Sequence, residues 1–177
     1  MTDLKLLKDR IRTVPDFPRQ GIQFRDITTL LKDPRDFHAA IDALAAAVDG
    51  QTIRKVAGIE ARGFILGAAL ADRLDAGFVP VRKPGKLPAA AARQAYELEY
   101  GSDQVEIHLD AVEPDEPVLL VDDLLATGGT AAATLALLRQ VKAEVVGALF
   151  LVELPALGGR DRLHGVTVSS LIRFAGD

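Results

Sequence analysis

The stretch VLLVDDLLATGGT, from Val118 to Thr130, constrains the fold more than any other part of the chain. Val118 to Val121 is an unbroken apolar run, which reads as a strand buried on both faces. Two acids follow, and then Ala126-Thr127-Gly128-Gly129-Thr130 leads into a helical pattern over Thr130 to Val141, with Leu135 and Leu138 turned inward. A second continuous apolar strand is expected from Val145 to Val152. Upstream the same alternation appears: a strand over Lys55 to Ile59, a helix over Gly63 to Leu74, a strand over Gly77 to Val81. Buried strands separated by helices predict an α/β fold, with a central mostly parallel sheet flanked by helices. In such sheets ligands bind at the carboxyl ends of the strands.

The remaining segments are arranged around that sheet. Leu4, Leu7 and Ile11 fall at helical spacing, so a short amphipathic helix opens the chain. Residues 14–31 contain Pro15, Pro18 and Gly21 and read as an ordered, irregular excursion. Asp33-Pro34-Arg35-Asp36 is a helix start, with a capping Asp and Pro at the first helical position, and Phe37, Ile41, Leu44 and Val48 form its apolar stripe. Tyr96, Leu98 and Tyr100 alternate with acids; after Gly101-Ser102-Asp103, Val105, Ile107 and Leu109 alternate with polar residues. This is a period-two hairpin. The basic, Gly- and Pro-containing run RKPGKLPAAAARQ precedes it, so the segment of about 83–109 reads either as a lid over a site or as an antiparallel appendage of the sheet.

Composition bounds the rest. At 177 residues, 49% of them hydrophobic and 26% charged, the chain fits one domain over 1–177 with a sizeable core. A formal net charge of −4 argues against general affinity for nucleic acid or anionic membrane, so a phosphate site must gather its positive charge locally. The absence of cysteine excludes disulfides and thiolate metal sites, and three scattered histidines do not suggest a metal cluster. The opening residues lack the apolar core of a secretory signal, and the longest apolar run is too short to cross a bilayer, so a cytoplasmic protein is expected.

The chemistry of the Val118–Thr130 stretch follows from its residue types. Glycines let the backbone turn tightly, so that consecutive N–H groups converge on a phosphate, and the helix N-terminus adds partial positive charge. Thr127 and Thr130 add hydroxyls. The loop is not a Walker A motif, since no Lys follows the glycines, and it is not a G-x-G-x-x-G fingerprint. Asp122 and Asp123 would repel the phosphate itself; they either cap a strand end or accept hydrogen bonds from sugar hydroxyls beside it. The second reading describes a ribose 5-phosphate. Glu60-Ala61-Arg62-Gly63, at a strand-to-helix junction, is a second place where Arg62 and backbone N–H groups can hold an oxyanion. Arg82, Lys83 and Lys86 supply further local positive charge.

The Val118–Thr130 string resembles the phosphoribosyl-pyrophosphate (PRPP) motif of the type I phosphoribosyltransferases. With PDFPRQGIQFRDIT, GIEARGF, VPVRKPGKLP and YELEYG, it is similar to the adenine-specific family over nearly the whole chain. The resemblance implies a type I phosphoribosyltransferase fold with a β-hairpin lid, and a homodimer that uses PRPP and adenine and yields AMP and pyrophosphate. It further implies Mg²⁺ bound chiefly through PRPP and pyrophosphate, with no metal held directly by the protein.

The resemblance also carries residue roles. The loop Ala126, Thr127, Gly128, Gly129 and Thr130 would bind the 5-phosphate, and Asp122 and Asp123 would fix the ribose. Glu60, Ala61, Arg62, Arg82, Lys83 and Lys86 would meet pyrophosphate. Adenine would stack between Phe24 and Leu124, with Gln23 and Arg25 at its edge, inside a base-recognition segment of about 14–31. Glu99, beside Tyr100, would handle the proton at adenine N7, and both are expected to be catalytic. Enzymes for 6-oxopurines usually carry an Asp where this chain has Ala126, which disfavours those bases. The alanines at 89–92 replace polar residues common in the family, so any phosphate contact there is backbone-only or missing. Two other readings stay open: a phosphoribosyltransferase for another purine, or a non-catalytic PRPP-binding regulator.

Overall fold

The computed structural model describes residues 3–97 and 101–176. Leu98, Glu99 and Tyr100 lie outside the described residues.

The chain begins with helix α1 (Leu4–Arg10), capped by the Asp3 carboxylate, which accepts from the N–H groups of Lys5 and Leu6. Residues 14–31 are more regular than their prolines suggest. Strands β1 (Arg12–Pro15) and β2 (Gln23–Asp26) pair antiparallel, and the short helix α2 (Thr28–Leu31) follows. Pro15 ends β1, and Gly21 supplies a positive φ in the connection, so these breakers shape the turn between two strands. Helix α3 (Pro34–Ala46) begins as read, with Asp33 accepting from Arg35 and Asp36 N–H and Pro34 in the first turn.

The main sheet contains β3 (Lys55–Ile59), β4 (Gly77–Val81), β7 (Pro117–Leu125), β8 (Glu144–Glu153) and β9 (Val168–Arg173), in the order β4-β3-β7-β8-β9 and all parallel. Helix α4 (Arg62–Arg73) connects β3 to β4, and α5 (Gly129–Gln140) connects β7 to β8. The chain leaves β3 toward one edge and β7 toward the other, so their carboxyl ends flank a topological switch point. One expectation needs correction here. Strand β7 does not end at Val121 but runs through the acidic pair to Leu125, because Asp122 still pairs with Phe150 and Leu125 with Glu153 on the long strand β8.

Alternate residues of β7 serve two cores. Leu119 and Val121 pack with Leu44, Leu66 and Leu70 from the helical side. Val118 and Leu120 pack with Leu135 and Leu138 of α5 on the other face. That second face is also covered by the hairpin β5 (Ala91–Glu97) and β6 (Ser102–His108). Its first strand begins earlier than the Tyr96–Tyr100 alternation implies, since Ala91 pairs with His108 and Glu97 with Ser102. Small side chains permit this early start: Ala92 is buried beside Val105 and Ile107 against the sheet. Val105 and Ile107 of β6 are buried as expected, whereas Leu109, just past the strand, is 57% exposed, and the acid Glu106 is buried on the alternate face.

Candidate active site

Two loops meet at the switch point. At the end of β3 the Glu60–Ala61 peptide is cis, and Arg62 starts α4. Its guanidinium pairs with the Asp123 carboxylate, which is only 4% exposed, and lies 5.3 Å from the centre of the Phe24 ring. Arg62 therefore joins the acidic end of β7 to the N-terminal ribbon. Helix α4 can approach β7 closely because residue 63 is glycine: a Cβ there would lie 2.7 Å from Asp122 Oδ1.

The two acids are not equivalent. Burial, and next the charge of Asp123, push the Asp122 carboxyl well above the ordinary carboxylate range. Asp122 Oδ1 accepts the Asp123 N–H at 2.9 Å. Asp123 instead faces a cation. Adjacent, unequal carboxyls with one guanidinium suit a neutral polyol better than a bare anion.

Beyond them, Asp122, Leu124, Thr127, Gly129 and Thr130 border a small cavity of about 100 Å³. Gly128, at φ 78°, takes a left-handed conformation that favours glycine and brings the chain into α5. The loop thus presents backbone N–H groups and a helix N-terminus to the cavity. The Thr130 hydroxyl is 3.0 Å from the Tyr96 hydroxyl.

The cationic residues are already engaged. Glu60 accepts from Arg82 Nε at 3.2 Å and from the Lys83 N–H at 2.9 Å. Burial opposes ionisation of Glu60, yet the Lys83 N–H and Arg82 outweigh it and hold its carboxyl below the usual range. Glu60 is thus placed to orient Arg82 rather than to meet an anion itself. Arg82 also donates to the Lys86 carbonyl at 3.1 Å. Lys83 Nζ binds the Asp103 carboxylate and lies 2.9 Å from the Tyr96 hydroxyl. Burial works against the Lys83 charge, but Asp103 and Tyr96 raise its pKa above the ordinary lysine value. Lys86 is exposed.

A second cleft, of about 380 Å³, is lined by Val14, Phe17, Phe24, Asp26, Thr28 and Arg62, the last of which pairs with Asp123 on β7. Phe17 meets Phe24 edge to face, with ring centres 5.2 Å apart. An aromatic wall with a few polar groups suits a flat heterocycle. Gln23 and Phe24 are partly exposed on β2. Arg25 is not among the residues lining this cleft. Neighbouring side chains in a strand point oppositely, and Arg25 donates to the Thr13 hydroxyl and stacks 4.2 Å from the Phe174 ring centre. Leu124 lines the phosphate-sized cavity rather than the aromatic cleft. Glu99 and Tyr100 fall outside the described residues.

Sequence reasoning missed Phe17, Val14 and Thr28 as walls of the cleft. A second aromatic seven residues before Phe24 was the available signal, hidden because only tertiary pairing of β1 with β2 brings the two rings together. Tyr96 and Asp103 were assigned to hairpin packing and turn, yet they tie Lys83 and Thr130 together.

A strand-end acidic pair, a glycine loop opening a helix and an opposing arginine thus gather at the switch point. The model of the phosphoribosyl transferase domain matches residues 28–176, and the chain belongs to that family. Within it, a curated adenine phosphoribosyltransferase from Methylorubrum extorquens is 58% identical over 172 residues, covering 96% of this chain and 95% of the relative. The crystal structure of adenine phosphoribosyltransferase from Thermoanaerobacter pseudethanolicus superposes with a TM-score of 0.95 at 51% identity, covering 97% of this chain and 100% of the other. The Saccharomyces cerevisiae adenine phosphoribosyltransferase, complexed with an imino-altritol bisphosphate and adenine, gives a TM-score of 0.90 at 41% identity, covering 95% and 97%.

Proposed function

We propose that the chain transfers the 5-phosphoribosyl group of PRPP to adenine, forming AMP and pyrophosphate in purine salvage. The carrying observation is the cavity of about 100 Å³ lined by the Ala126–Thr130 loop and by Asp122, whose chain neighbour is Asp123. A monophosphate cradle beside two carboxylates matches a sugar phosphate with a neighbouring diol. Adenine is favoured by relatives of that name, and by Ala126, which offers no carboxylate toward a 6-oxopurine.

In this reading adenine N9 displaces pyrophosphate at ribose C1 through an oxocarbenium-like transition state. The loop N–H groups and the hydroxyls of Thr127 and Thr130 hold the 5-phosphate. Asp123 and Asp122 accept from the ribose hydroxyls, and the Asp123 charge favours the positive charge developing on the ring. Pyrophosphate draws Arg62 away from Asp123, and Arg82, Lys83 and Lys86 add positive charge for it. Glu60, carrying Arg82, supports that group indirectly. Phe24 stacks on the base inside the aromatic cleft. Glu99 takes the proton at N7, with Tyr100 beside it, on a segment of 83–109 that closes over the reactants and excludes water.

Among the described residues no group of three or more His, Asp or Glu side chains is placed to hold a metal. Mg²⁺ would be carried chiefly on the oxygens of PRPP and pyrophosphate, with Asp122 and Asp123 serving the ribose hydroxyls. The ion would neutralise leaving charge on pyrophosphate. A cytoplasmic homodimer is the expected setting; among the described residues no helix is long and apolar enough to cross a membrane. Sedimentation equilibrium checks the dimer.

The test offers PRPP and Mg²⁺ with adenine, hypoxanthine, guanine, xanthine and uracil in turn, and measures nucleotide and pyrophosphate. AMP from adenine alone is expected. IMP or GMP would overturn the base assignment, and PRPP binding without consumption of any base would mark a regulator.

A further inference from the structure

A glycine loop is pliable, and a phosphate cradle works only if its N–H groups are held in place by something outside it. The backbone of Gly159 occupies that outside position. A Cβ on Gly128 would lie 2.4 Å from the Gly159 carbonyl oxygen, and a Cβ on Gly159 would lie 2.1 Å from the Ala126 carbonyl oxygen and 2.9 Å from Gly128 N. The two segments therefore touch backbone to backbone, with no side chain between them to yield. Gly159 is buried but does not line the cavity, so it bears on the loop from outside.

The turn containing Gly159 is itself anchored. Arg160, the next residue, donates Nε to Glu153 Oε1 at 2.9 Å, Nη2 to Oε2 at 2.6 Å and Nη1 to the Val168 carbonyl at 2.6 Å. Glu153 is 3% exposed, also accepts from the Ser170 hydroxyl, and lies 3.3 Å from Arg173 Nε. It is the register partner of Leu125, the residue immediately before the loop. A fork-to-fork pair fixes angle as well as distance, which a hydrophobic contact would not. One buried carboxylate thus ties β8, β9 and the Gly159 turn to the root of the cradle.

We propose that Gly159, held by the Glu153–Arg160 pair, is a positioning residue that sets the shape of the Ala126–Thr130 loop and thereby its affinity for a sugar 5-phosphate. This rests on that loop being the 5-phosphate site. The test measures ribose 5-phosphate binding by calorimetry, PRPP KM and kcat, and ligand-free melting in the wild type and in Gly159→Ala, Arg160→Met and Arg160→Lys. Gly159→Ala and Arg160→Met should weaken ribose 5-phosphate binding about tenfold or more, and raise PRPP KM in step, with kcat at saturation changed far less. Arg160→Lys keeps the charge but loses the fork, and should fall between; it carries the test if the alanine variant does not fold. Ala40→Gly, in the core of α3, serves as a comparison that loosens the fold away from the loop. Binding within about twofold of wild type in the Gly159 and Arg160 variants, or equal weakening by Ala40→Gly at matched loss of melting temperature, would overturn the proposal. Thr127→Asp places a negative charge in the loop itself. If that variant still binds ribose 5-phosphate, the loop assignment fails; if it loses binding while Gly159→Ala keeps it, only the positioning role fails.

Discussion

Asp122 and Asp123 occupy consecutive positions and carry the same side chain, yet the fold treats them oppositely. Asp123 has Arg62 across the switch point, whereas Asp122 is buried beside its charged neighbour and resists ionisation. Removing the Asp123 charge costs both the cation partner and an acceptor for the sugar. Asp123→Asn is therefore expected to raise PRPP KM about tenfold or more, read from initial rates at saturating adenine. Glu99→Gln should act on a different parameter, lowering kcat about a hundredfold while direct titration leaves PRPP affinity near wild type. Unchanged turnover in that variant would remove Glu99 from the proton-transfer role. The residue types at 122–130 were legible because strand, acid pair and glycine cradle are contiguous. The inequality of the two acids was not, since it arises from the burial of Asp122 in the folded chain and from the pairing of Asp123 with Arg62, sixty-one positions away.

At the scale of elements, the N-terminal ribbon and the β5–β6 hairpin decide how the site is enclosed. Asp26 knits the ribbon to α2 by accepting from Thr28 N–H at 2.9 Å and Thr28 Oγ1 at 2.7 Å, and it pairs with Arg12 at 2.5 Å. Burial opposes its charge, but these donors lower its pKa from 3.8 to about 2. Because the folded value lies below the unfolded one, Asp26 stabilises the fold fully above pH 3.8, and that contribution disappears as pH falls through about 2. Asp26→Asn should cost about 1–2 kcal/mol at neutral pH by urea denaturation, with the gap to wild type closing in acid. In the hairpin, the Tyr96 hydroxyl lies 2.9 Å from Lys83 Nζ and 3.0 Å from both Asp103 and Thr130. Tyr96→Phe should cost about 1 kcal/mol and speed amide exchange in Ala91–Glu97 and Ser102–His108 relative to the main sheet. Apolar alternation announced a hairpin correctly, but its first strand begins earlier, at Ala91, and Leu98 to Tyr100 lie outside the described residues. Tyr96, Leu98 and Tyr100 look like one strand, while the alanines that begin β5 carry no periodic signal and are selected by close packing.

The whole molecule depends on one parallel sheet packed on both faces, with Phe150 fully buried on β8 beside the central strand β7. Phe150→Ala should destabilise the protein by about 3–5 kcal/mol in equilibrium denaturation, with sheet and hairpin signals shifting together because both share that core. The order of β3, β4, β7 and β8 was not readable from their apolar runs, since a buried strand carries the same pattern wherever it sits in a sheet. The α/β class, the helix start at Asp33 and the glycine loop from Ala126 to Thr130 that opens α5 were determined by the sequence alone, because each depends on residues within a few positions of one another. The Arg62–Asp123 pair, the aromatic cleft shared by Phe17 and Phe24, the turning of Arg25 toward Phe174 and the backing of the cradle by Gly159 were decided only by the tertiary structure. Strand β7 carries Val118 to Val121 straight into two acids, but it takes the neighbouring strand β8 to extend it to Leu125 and a distant glycine to support the loop beyond it. Local chemistry specifies what the cradle is made of, whereas contacts between residues far apart in the chain specify its shape.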